Sequence, residues 1–124
     1  MVSQILTLVL TLLVLDALWL TWNHSSNLTI FSRIQGSPLV IRWAPAAAVY
    51  ILIAAATWFF AVRGVTSVTE AAGRGSLLGL AMYGVYDLTN YSTLKNYPLS
   101  MAVTDMIWGS ILCAAAASTA VAVA

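Results

Sequence analysis

Charge is what this chain mostly lacks. Among its 124 residues are five Lys/Arg and four Asp/Glu, 7% in all, leaving a net charge of +1. Soluble domains run near a quarter charged. Hydrophobic residues reach 61%, more than a small water-soluble fold could hide, because small domains have too much surface for their volume. The same composition excludes a disordered chain, and the weak net charge argues against nucleic acid as a partner. A single cysteine, Cys113, excludes an internal disulfide framework and a Cys-based zinc site. There is no Walker loop, G-x-S-x-G, zincin helix or C-x-x-C. What remains is a membrane protein whose solvent is the bilayer.

Four apolar stretches approach the length of about 20 residues that a bilayer demands. They run from about Gln4 to Trp22, Trp43 to Val62, Gly75 to Leu94 and Leu99 to Val123. One four-span domain over residues 1–124 is therefore expected, an all-α integral membrane four-helix bundle. The connector Asn23 to Pro38 is polar and long enough for a short interfacial helix. Arg63 to Arg74 carries Gly, Thr and charge, and Lys95 to Pro98 is a tight turn that makes a hairpin of the last two spans. Pro45 and Pro98 fall near span starts, where a missing N–H costs least. A cleaved signal peptide is disfavoured for the first span, which lacks a basic leader and an A-x-A-like site and carries Asp16. Arg33, Arg42 and Lys95 on one face against Arg63 and Arg74 on the other give a small lean towards both termini outside.

The acidic residues are where charge is least welcome. Asp16, Asp87 and Asp105 fall within spans, and only Glu70 lies in a connector. An Asp near a bilayer centre costs roughly 2.5–3.5 kcal/mol on insertion scales, so intramembrane carboxylates default to a functional hypothesis. Asp16 lies six residues before the end of its span, Asp87 seven before the end of its own, and Asp105 six after the start of the last. At 1.5 Å per residue, all three sit about 9–11 Å inside one membrane face.

Their neighbours support a shared site. Asp16-Ala17-Leu18-Trp19 and Asp105-Met106-Ile107-Trp108 repeat D-x-[LI]-W, and three-residue spacing puts Trp19 and Trp108 on the faces of their Asp residues. Asn90 and Tyr91 share the Asp87 face, with Tyr83 one turn earlier, and Asn23 follows Asp16 by two turns. The candidate ligand-binding set is thus Asp16, Asp87, Asn90, Asp105, Trp19, Trp108 and Tyr83. No Lys, Arg or His lies at that depth, and three carboxylates in a dry pocket cannot all be ionised unaided. Protons, a bound cation or a cationic group on a substrate would supply the balance. Oxygen ligands would suit Mg²⁺, Ca²⁺ or Mn²⁺ better than a thiophilic metal, but the sequence identifies neither a metal nor a cofactor. The competing readings are plain: the Asp residues as interhelical glue, the Trp residues as an interfacial belt, and Gly75-x-x-x-Gly79 with Gly84 as close helix contact.

The strings LDALWL, MYGVYDLTNYSTLKNYPL and TDMIWG together resemble a family of small four-span membrane proteins known as domain of unknown function twenty-one seventy-seven. The similarity covers nearly the whole chain. It is most specific at Tyr86 to Asn90, Thr93-Leu94, Pro98 and Asp105 to Gly109, and departs at Asn23 to Pro38. The resemblance implies a four-helix membrane fold and supplies no activity. From the residues, the expected role is to bind or move a proton, cation or cationic solute. The alternatives are a structural subunit of a larger membrane assembly and a metal-dependent lipid-modifying enzyme, the last disfavoured by the missing acid–base and nucleophile motifs. The lipid bilayer is the implied partner. Four short spans make a narrow bundle, so a homo-oligomer or a place in a larger membrane complex is also expected.

Overall fold

The computed structural model describes all residues from Met1 to Ala124. Four helices follow in order: α1 (Val2–Gln35), α2 (Trp43–Thr57), α3 (Val68–Thr93) and α4 (Leu99–Ala122), with a π-helical turn, Trp58–Val62, extending α2. Of 96 backbone hydrogen bonds, 86 lie within helices, which is how a chain satisfies its peptide groups where no water can. Only 22 of 124 residues are buried, and large apolar side chains such as Leu6, Leu10, Leu13, Ile51, Phe59 and Ile107 point outward. The hydrophobic surface faces lipid. The protein is an all-α integral membrane helical bundle.

Helix limits differ from the hydropathy limits at two places. The connector after the first span does not form a separate interfacial helix, because α1 continues for 34 residues, about 51 Å at 1.5 Å each. The cause is local: no Gly or Pro occurs between Val2 and Gln35, and polar side chains bond back into the helix, Asn23 to the Trp19 carbonyl and Thr29 to the Ser25 carbonyl. The helix stops at Gly36, whose φ of 78° sets the left-handed cap. The second difference lies in the connector Arg63 to Arg74, whose latter half already belongs to α3. Ser67 caps that helix by accepting the Glu70 N–H at 3.2 Å, and Ser67-Val-Thr-Glu70 is a capping-box sequence.

By length and composition, α1, α2 with its π turn, and α4 can each cross a membrane. The more polar α3 runs antiparallel to α4 and is its most extensive packing partner. Small residues make that approach possible: Gly75 lies on the α4 backbone at Cys113 and Gly79 on Gly109, while the Ser76 and Ser110 hydroxyls hydrogen-bond at 2.6 Å. Helix α4 is central, meeting α1, α3 and the π turn. The apolar core lies towards the end holding both termini, where Leu8, Leu12, Ala61, Val62, Leu112 and Ala116 form part of it. Towards the other end α2 meets α1 and α4 at few points, and the bundle opens.

Candidate functional site

The face of α1 that enters the bundle changes character halfway. Leu8 and Leu12 join the core; at the same helical spacing, Asp16, Trp19, Asn23, Asn27 and Ile30 line a cavity of about 740 Å³. The other walls come from Val49, Leu52 and Ile53 of α2, Met82 to Asp87 of α3, and Tyr97 to Asp105 around the start of α4. Twelve of the twenty lining residues are hydrophobic, and none is Lys, Arg or His. The apolar core borders one end of this space, where Ile53 belongs to both.

Asp16, Asp87 and Asp105 all line that one cavity. They are not equivalent. Asp16 is buried and carries two donors from other helices, the Tyr50 hydroxyl on Oδ2 and the Trp108 indole on Oδ1 at 3.2 Å. Trp108 also stacks on Trp19, with centroids 4.7 Å apart and planes 4° from parallel. Asp16 therefore ties α1 to both α2 and α4. Asp105 is three residues nearer the open end than Trp108, about 4.5 Å along α4, and lines the same cavity as Asp87.

Asp87 is wholly buried. Its Oδ1 accepts the Tyr97 hydroxyl at 2.9 Å, while its Oδ2, equally buried, accepts no hydrogen bond. Buried polar atoms without partners are uncommon and costly, roughly 1–3 kcal/mol each. Tyr97 sits in the turn before α4 with its ring edge against Phe31 of α1, centroids 5.9 Å apart. Burial, joined by the Asp87 carboxyl it donates to, holds the Tyr97 phenol above its ordinary range, so it remains a donor throughout the neutral range.

Of the remaining sequence candidates, Tyr83 lines the cavity and rests on Gly109, where a Cβ would lie 2.7 Å from the Tyr83 Cβ. Trp108 lies behind the cavity wall and acts on it through Asp16. Asn90 does not line the cavity. No three His, Cys, Asp or Glu side chains converge closely enough to hold a metal ion. Sequence reasoning missed Tyr50 and Tyr97. A usable signal existed for the first, since Tyr50 lies seven residues into its span, almost the depth of Asp105 in the last.

Fold and cavity together define a small polytopic membrane protein with carboxyl groups gathered in one half of its bundle. Residues 1–122 match the family model described as "Predicted membrane protein (DUF2177)", and the chain belongs to that family. No curated protein and no solved structure matches it.

Proposed function

We propose that this protein binds a small organic cation in the cavity, with all four helices crossing the bilayer and Asp87 and Asp105 as the anionic pole of the site. The observation that carries the reading is the unpartnered, buried Oδ2 of Asp87, a residue of the wall of a cavity that has acidic but no basic side chains. Size separates the candidate occupants. A space of about 740 Å³ matches pockets for organic molecules, which run about 300–1,000 Å³, and far exceeds what a proton or bare ion requires. Aromatic walls from Trp19, Tyr83, Tyr86 and Tyr97 suit an alkylammonium group, which is drawn to ring faces. The carboxyl arrangement does not supply the three converging ligands that a divalent metal in a lipid-modifying enzyme would take.

Thermal unfolding of purified protein with tetraethylammonium tests this. Binding to the folded state alone adds RT ln(1 + [L]/Kd), about 2.7 kcal/mol at a hundred times Kd. The wild type should be stabilised in a saturable manner and Asp87→Asn should not. Equal response of both, or none in the wild type, refutes the reading.

A second reading has its own support. Asp16 is fully engaged by Tyr50 and Trp108, and such bonds hold helices together without any ligand. On that reading the protein is a structural subunit of a larger membrane assembly. Asp16 serves that role, and the half-satisfied Asp87 distinguishes the two.

A further inference from the structure

One side of the cavity is walled by residues that are themselves well exposed. Leu20 of α1 and Val49 and Leu52 of α2 all line it, yet they are 46%, 52% and 68% exposed. Lining residues this exposed point to a gap in the wall between α1 and α2, beside the Asp16–Tyr50 bond, in a helix pair that makes few contacts. Both segments lie in apolar, membrane-crossing stretches. The gap therefore faces acyl chains rather than water, and its rim is aliphatic.

We infer that the occupant is a membrane-dissolved amphiphile, a single-chain amine whose ammonium group meets Asp87 and Asp105 while its tail leaves through the gap between α1 and α2. This rests on the cation-binding reading and adds the class of ligand and its route. The head is fixed by charge: the walls carry three carboxyl groups and no base, so a headgroup bearing phosphate would be repelled. The tail follows from the aliphatic rim at hydrocarbon depth, where a chain in the gap trades one apolar neighbour for another. Tail contacts then add little affinity measured from the bilayer, because lipid is as apolar as Leu. The ammonium contact supplies the selectivity.

Photolabelling tests the route. The protein is placed in phosphatidylcholine nanodiscs with dodecylamine carrying a diazirine at its terminal carbon, and the labelled residues are mapped by mass spectrometry. Label should concentrate around Leu20, Val49 and Leu52, and should fall about tenfold, some 1.4 kcal/mol, in Asp87→Asn or on adding saturating tetraethylammonium. Closing the gap with Leu52→Trp, or with Val49→Phe should the first variant fold poorly, should cut labelling similarly. Stabilisation by tetraethylammonium, measured on the same variants, reads the cation site separately from the gap. Label spread over the lipid-facing sides of all four helices, or unchanged in the closed-gap variants, overturns the lateral route while cation binding stands. Absence of tetraethylammonium binding in the wild type overturns the cation site itself.

Discussion

Substituting Gly79 by Ala adds a single methyl group at the tightest point of the α3–α4 pair. A Cβ there would lie 2.7 Å from the Gly109 carbonyl carbon, closer still to its oxygen, and 3.0 Å from the Cys113 Cβ. Ordinary contact begins near 3.4 Å, so the helices must part by roughly 0.7 Å or more. The obstacle is backbone, which cannot rotate aside as a side chain can. Overpacking of this kind costs about 1–3 kcal/mol. The Ser76–Ser110 hydrogen bond, one turn away at 2.6 Å, is stretched by the same movement and adds about 0.6 kcal/mol. The expected destabilisation is about 2–4 kcal/mol. Gly73→Ala is the control: it lies in the same helix with nothing within 4 Å of a new Cβ, and helix propensity alone should make it neutral or more stable by up to about 1 kcal/mol. Both variants can be unfolded by titration with sodium dodecyl sulfate and followed by far-ultraviolet circular dichroism. Agreement of the two within about 0.5 kcal/mol would show that α3 and α4 do not approach this closely, and the placement of Asp87 and Asp105 on one cavity would lose its support.

Two further outcomes follow from the hydrogen bonds that anchor the carboxyl groups. A double-mutant cycle of Tyr50→Phe with Asp16→Ala, which removes the acceptor, should give a coupling of about 0.6–1.7 kcal/mol, the range for hydrogen bonds within membranes; a coupling of zero would mean that α2 is not fastened to α1 there. Tyr97→Phe removes the sole donor to Asp87 and should cost about 1–3 kcal/mol, whereas Tyr91→Phe, at an exposed ring, should stay within about 0.5 kcal/mol; equal costs in one unfolding assay would contradict the burial of Asp87.

Hydropathy made the helices legible and their limits less so. A run of apolar residues marks where a chain meets lipid, whereas a helix ends where its hydrogen bonding ends. Thus α1 passes unbroken from the apolar Leu20 through His24, Ser25 and Ser26 to Gly36, and α3 begins at Val68 because Ser67 caps it. At the site, counting residues from span ends put three carboxyl groups near one level. What counting could not supply was tilt and rotation. Asp87 and Asp105 line one cavity on helices that Gly75 and Gly79 hold together, and Asp16 pairs one turn deeper with Trp108, a residue expected beside Asp105 of its own helix. The tyrosines escaped notice because a search for charge overlooks hydroxyl groups. Tyr50 and Tyr97 are neutral, yet they are the donors that fix two of the three acids.

The unbroken length of α1 makes it a lever. Its inner end is fixed in the core at Leu8 and Leu12, and its outer half forms one wall of the cavity as far as Phe31. From Leu12 to Phe31 the helix extends about 28 Å. A change of about 10° in tilt, within the adjustment by which long helices meet bilayers of different thickness, moves Phe31 sideways by about 5 Å. That displacement is comparable to the separation of the Phe31 and Tyr97 rings, 5.9 Å, which stand together at the rim. A thinner membrane that leans α1 over would thus shift one jaw of the mouth against the other by about the width of a methylene chain, coupling bilayer thickness to the width of the cavity mouth.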